Sequence, residues 1–139
     1  MKEVILRTDG GIRESHMACA YVILSLDEKQ IIFSDYKRCG DKGTSNISEY
    51  RGVIFGLIKC LKEKIEIIHI ILDSQLLVKQ ITNTAKTNNE ELIKHRDKVL
   101  ELLKQFKEFS IKWEPRNHNK LADELVNKAF VKKKKNVKK

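Results

Sequence analysis

The chain has 139 residues, 41% hydrophobic and 34% charged, with a formal net charge of +9. That length suits one domain with one core, and the balance is that of a folded, water-exposed protein rather than a disordered chain. No apolar run approaches the ~20 residues of a membrane helix, and the first residues read as a strand rather than a leader, so membrane insertion is set aside and a cytoplasmic monomer is expected.

In chain order, Glu3–Thr8 is predicted as a strand ending at Asp9-Gly10-Gly11, and Met17–Ser25 with Gln30–Lys37 as a hairpin turning near Asp27-Glu28-Lys29. Apolar residues at 47, 50, 54, 57, 58 and 61 recur with a helical period, predicting a helix over Ile47–Leu61. Inside it, Gly52 and Gly56 lie three and seven positions after Glu49 and share its stripe. Each glycine costs a helix about 1 kcal/mol. The expected compensation is close approach of the helix backbone to the sheet.

Ile67–Leu72 is a nearly unbroken apolar run, the pattern of a strand covered on both faces, and Asp73 follows it directly. Ser74 is placed to cap a short helix reaching about Ile81, and Leu92, Val99, Leu103 and Phe106 mark the buried stripe of a longer one. His69, inside the apolar strand, reads as a satisfied core residue. Ser110–Glu114 alternates as a last strand, stopped by Pro115, the single proline, and a final helix runs from about Asn119 to Phe130. The order β-β-β-α-β-α-α-β-α predicts an α/β fold with a five-stranded mixed sheet flanked by helices.

After Val131 comes KKKKNVKK, whose six lysines supply +6 of the net charge and leave residues 1–131 at +3. Residues 1–131 are therefore read as the domain. Residues 132–139 are expected to be a disordered tail, solvated or giving sequence-blind affinity for phosphate. Cys19, Cys39 and Cys60 show neither a CxxC pair nor zinc spacing and read as reduced thiols.

The acidic residues carry the chemistry. Cleaving a phosphodiester calls for hard divalent cations about 3.5–4 Å apart, and clustered carboxylates are their natural ligands. Asp9 and Asp73 each close a largely apolar strand; if those strands are parallel neighbours, both side chains leave the sheet at the same edge, where sites form in α/β folds. The glycine stripe would bring Glu49 to that edge, and Asp123 lies in the first turn of the last helix, where the helix dipole favours an acid. Taken singly, each is equally a turn former or a good helix residue.

Four segments together resemble the ribonuclease H type I family. They are Thr8-Asp9-Gly10-Gly11, Thr44-Ser45-Asn46-Ile47-Ser48-Glu49-Tyr50, Asp73-Ser74-Gln75, and Arg116-Asn117-His118-Asn119-Lys120-Leu121-Ala122-Asp123-Glu124-Leu125. The resemblance spans residues 1–131 and implies the RNase H-like fold and hydrolysis of the RNA strand of RNA/DNA hybrids. It further implies two Mg²⁺ ions, with Mn²⁺ as a substitute, held by Asp9, Glu49, Asp73 and Asp123, and no small-molecule cofactor. Contacts to 2′-hydroxyls, the group that separates RNA from DNA, fall to Gly10, Gly11, Ser45, Asn46 and Gln75. Asn46 is equally placed to cap its helix. His118 stands where some members place a mobile residue that assists proton transfer and product release.

Two departures stand out: Ile12-Arg13-Glu14-Ser15-His16 replaces the family's glycine-rich stretch, and Ser45 replaces the first Asn of its T-N-N run. Three alternatives stay open: a non-catalytic hybrid- or RNA-binding module on the same fold, another two-metal nuclease of the superfamily, and activity on double-stranded RNA.

Overall fold

A computed structural model describes residues 2–83 and 85–137, with the side chains of 132–137 left aside. Its elements are β1 (Glu3–Arg13), β2 (His16–Leu24), β3 (Ile31–Asp41), α1 (Ser45–Lys62), β4 (Ile67–Leu72), α2 (Gln75–Ile81), α3 (Glu90–Leu103), β5 (Glu108–Trp113) and α4 (Lys120–Val137). A short 3₁₀ turn, Arg116–His118, precedes α4. This is the α/β order expected from the pattern of apolar residues. Among the described residues no helix is long and apolar enough to cross a membrane.

The five strands form one mixed sheet in the order β3-β2-β1-β4-β5. β1 pairs antiparallel with β2 and parallel with β4, so it is the seam between the hairpin half and the crossover half. Alternate residues of β1 serve opposite faces: Val4 and Leu6 enter the main core beneath α1 and α3, while Ile5 joins the smaller cluster on the α4 side. β4 repeats the division, with Ile68 and Ile70 in the main core and Ile71 on the α4 side. α4 packs over β1, β2 and β3.

Four expectations shift. β1 does not stop at Asp9; it continues to Arg13, because β2 pairs with it as far as Arg13 opposite His16. α1 starts two residues early, since Thr44 rather than Asn46 caps it: the Thr44 hydroxyl accepts from the Ile47 N–H at 3.2 Å. His69 is half-exposed rather than buried, and its ring bonds to Ser110 Oγ and Glu3 Oε2, each at 2.7 Å. α4 runs past Phe130 to Val137, into the segment 132–139 expected to be a disordered tail; the side chains of 132–137 and residues 138–139 lie outside the described residues.

Candidate active site

The parallel ladder between β1 and β4 ends at the Arg7–Ile71 pair. Asp9 lies two residues beyond it on β1, and Asp73 lies just past Leu72 at the end of β4, so both leave the sheet where the two strands part. α1 crosses over this point at van der Waals range. A Cβ on Gly52 would come within 2.6 Å of the Asp9 carbonyl oxygen, and one on Gly10 would run into the backbone of Ser48 and Glu49. Strand and helix therefore meet backbone to backbone, which sets Glu49 beside Asp9. Further along, a Cβ on Gly56 would strike Leu6 at 2.7 Å. The glycine stripe thus has the packing role expected of it.

Carboxylate oxygens of Asp9, Glu49 and Asp73 all lie within 4.8 Å of one another. Asp9 is 4% exposed; one oxygen accepts the Gly10 N–H at 2.9 Å, and Oδ2 is buried with no hydrogen-bond partner among the described residues. Burial, followed by the charge of Asp73, pushes the Asp9 carboxyl up to about 8. The same two causes in the same order raise Glu49 to about 7. Three crowded acids with a bare buried oxygen are costly when charged. Hard oxygen donors in this arrangement fit hard divalent cations, whose charge would remove the repulsion and fill the vacant valence of Asp9.

Asp123 stands a little apart. It lines the same groove, of about 480 Å³, as Asp9, Glu49 and Asp73, and its charge contributes to the raised carboxyl of Asp9, but it lies outside the tight triad. Its Oδ1 is 3.5 Å from Arg116 Nη2, and its side chain is 37% exposed.

The family model described as reverse transcriptase-like matches residues 7–129. The crystal structure of an RNase H1 from Halobacterium salinarum superposes with a TM-score of 0.89 at 32% identity, covering 94% of this chain and 98% of that one. The chain belongs to the ribonuclease H type I family. A bifunctional protein of Mycobacterium tuberculosis, Rv2228c, is 30% identical over 130 residues, 92% of this chain but 35% of that protein. This ribonuclease H-type chain thus spans about a third of the length of that relative. LC11-RNase H1, solved in complex with an RNA/DNA hybrid, matches with a TM-score of 0.85 at 25% identity, covering 93% of this chain and 97% of that one.

Within this ribonuclease H frame the expected contact residues divide. Gly10, Gly11 and Ser45 line the groove beside the carboxylates. Asn46 is the second residue of α1 and Gln75 the exposed first residue of α2; neither is among the groove's lining residues. His118 ends the 3₁₀ turn, and its Nδ1 lies 3.6 Å from Glu114 Oε1 rather than at the triad.

The sequence pattern assigns no role to two further residues of the site, Asn119 and Arg116. Asn119, 3% exposed, donates through Nδ2 to the Thr8 carbonyl at 2.9 Å and to Asp73 Oδ2 at 3.0 Å, tying the turn before α4 to both strands. Arg116 is the cation facing Asp9 and Asp123. Their signal was polar residues at fixed places between a proline and a helix start, which by itself reads as capping.

Proposed function

We propose that the chain is an endonuclease that hydrolyses the RNA strand of RNA/DNA hybrids with two divalent ions, Mg²⁺ by preference and Mn²⁺ as a substitute, leaving 5′-phosphate and 3′-hydroxyl ends. The observation that carries this reading is the triad of Asp9, Glu49 and Asp73 within 4.8 Å, with a bare buried oxygen on Asp9, at the strand edge of a ribonuclease H fold. The hybrid bound by the LC11 relative supports the choice of substrate.

Asp9, Glu49 and Asp73 would hold the ions, with Asp123 joining from the start of α4. Bound divalent ions supply Lewis-acid stabilisation of the charge that develops on the phosphoryl oxygens. The chain's own residues position that chemistry. The Gly10 N–H orients one Asp9 oxygen so that the other stays bare, and the Asn119 amide does the same for Asp73 Oδ2. Gly10, Gly11 and Ser45, on the groove wall, are proposed to meet the sugar edge of the RNA, where backbone groups and a hydroxyl can both donate to and accept from 2′-hydroxyls. Asn46 and Gln75, at the starts of α1 and α2, extend that contact surface outward. His118 takes part as an outer proton carrier on the turn that leads to Asp123.

The test is a labelled RNA/DNA hybrid incubated with the protein in Mg²⁺, in Mn²⁺ and in chelator. Cleavage is expected only with metal. The Asp73→Asn variant is expected to bind the hybrid and lose about 10³-fold or more in rate, the scale of removing a group that stabilises transition-state charge. Cleavage in chelator, or full activity in that variant, would overturn the reading. Double-stranded and single-stranded RNA in the same assay define how much of the selectivity rests on the DNA strand.

A further inference from the structure

The groove that holds the carboxylates ends in a cluster of the opposite charge. β1 and β2 turn through Glu14 and Ser15, both at positive φ (50° and 70°), and stay paired to their tips. Residues 9, 11 and 13 share the β1 face turned toward α4. Arg13 therefore lies about 13 Å along the strand from Asp9. Gly11, between them, keeps the floor low: a Cβ there would come within 3.0 Å of Val126.

Arg13 is exposed yet held. Its Nη2 donates to Asn127 Oδ1 at 2.9 Å, and its guanidinium sits over the Phe130 ring, 4.8 Å from the centroid. Arg38, from β3, covers the same ring at 5.0 Å and donates to the main-chain carbonyls of Ala129 and Phe130 at 3.3 and 3.4 Å. Among the described residues, Arg7, Arg96 and Arg116 each have a carboxylate partner, whereas Arg13 and Arg38 have none, nor has Arg51, which bonds instead to His95 and the Cys39 carbonyl. Two guanidinium groups on one ring make this end of the groove locally positive, which favours an anion there. Arg13, Asn127 and Phe130 all line the groove. Among the described residues, one of the five N–H donors of Arg13 bonds to a protein side chain.

We propose that Arg13, braced by Asn127 and Phe130 and backed by the charge of Arg38, is a phosphodiester-binding subsite for the nucleic-acid strand that lies in the groove. The inference rests on the nucleic-acid reading of the site given above. A sugar–phosphate strand entering between acids needs a cation at a fixed distance from them, and a guanidinium presents a planar fork that matches two phosphate oxygens. Stacking and the Asn127 bond orient that fork in advance, so little side-chain freedom is lost on binding. Recognition there is blind to sequence. The site takes over anchoring at the very segment, Ile12 to His16, where the chain departs from its family's glycine-rich pattern.

The experiment is fluorescence anisotropy over a salt series on the full chain in Mg²⁺, in an Asp73→Asn background that leaves the hybrid uncut. One probe is an RNA/DNA hybrid and the other a DNA duplex of the same sequence. Arg13→Gln is expected to weaken hybrid binding about tenfold and to lower the slope of log K against log salt by about one, the signature of one lost phosphate contact. Arg13→Lys keeps the slope and loses part of the affinity. Asn127→Ala, which frees the guanidinium without removing its charge, weakens binding a few-fold at unchanged slope. In the active chain, Arg13→Gln raises KM while kcat stays within about twofold.

Unchanged affinity and slope in Arg13→Gln, in a protein whose parent cuts the hybrid, would overturn the subsite and leave the nuclease reading standing. Conversely, a parent that cuts no hybrid but whose DNA-duplex affinity falls in Arg13→Gln would retain the subsite and remove the nuclease reading. Thermal melting of each variant close to that of its parent confirms that binding, not folding, is being read.

Discussion

The two halves of the candidate site are held in different ways. Asp9, Glu49 and Asp73 hang on β1, α1 and β4, elements whose other residues fill the main core, and the near-contact of Gly10 and Gly52 with facing backbone leaves them no room to drift. Asp123, Arg116 and His118 belong to a turn and a helix start, with side chains 37%, 77% and 55% exposed. Asn119, bonded to Thr8 and Asp73, and the fully buried Ala122 tie them to the sheet. The spacing of the triad is thus a by-product of core packing, whereas the other three side chains are more exposed and belong to a segment anchored at two points.

The largest effect is expected from pH on the metal-free protein. The Asp9 and Glu49 carboxyls, raised to about 8 and about 7, keep protons that the unfolded chain has already released near pH 4. Below that pH both states are protonated and nothing changes. As pH climbs toward 8 the folded state loses ground, by a few kcal/mol in total, and above about 8 the loss is complete. Urea unfolding in chelator at pH 5 and pH 8 measures it. Asp9→Asn flattens the dependence, and saturating Mg²⁺ restores stability at pH 8 by binding only the folded state. Equal stability at both pH values in chelator would mean that the packed half stores no electrostatic strain.

Next in size is Gly52→Ala, which places a methyl 2.6 Å from the Asp9 carbonyl oxygen. Overpacking of this kind costs about 1–3 kcal/mol and outweighs the ~1 kcal/mol that alanine returns in helix propensity. A lower denaturation midpoint together with reduced cleavage is expected. A more stable variant would show that α1 has slack over β1.

Asn119→Ala cuts the tie between the halves. Loss of a group that orients a metal ligand lowers metal affinity or rate by about 10- to 100-fold, read from Mg²⁺ titrations of cleavage, with the Asp9–Glu49–Asp73 half left folded. The smallest effect is expected from His118→Ala. Its ring faces Glu114 and solvent rather than the triad, so kcat should fall less than tenfold, below the ~10²-fold or more that a directly placed acid or base contributes. A loss beyond a hundredfold would move His118 from the periphery to the reacting groups.

Much of this was legible beforehand, because local pattern and core burial agree in the chain. The apolar run Ile67–Leu72 named its own strand, Ser74 its cap, and Gly52 with Gly56 announced a helix pressed onto something flat. The errors were at places where a long-range partner overrides a local sign. Gly10-Gly11 looks like a strand end, but β2 continues the ladder through it; Asn46 looks like a cap, but Thr44 holds the hydroxyl in reach of the Ile47 N–H. His69 lies in an apolar run yet finds polar partners on β1 and β5.

Residue type and spacing within single segments suffice for the element order, while the four acids stand out as a set only through the resemblance to the family. Packing settles that Asp9, Glu49 and Asp73 form the tight set while Asp123 stands apart, that Asn119 binds β1 and the end of β4 at once, and that Arg13 and Arg38 share one aromatic ring with no acidic partner among the described residues. The reason is physical. Which charges meet depends on how far apart the chain's segments pack, and that distance is set by contacts between residues such as Gly52 and Asp9 that lie 43 positions apart.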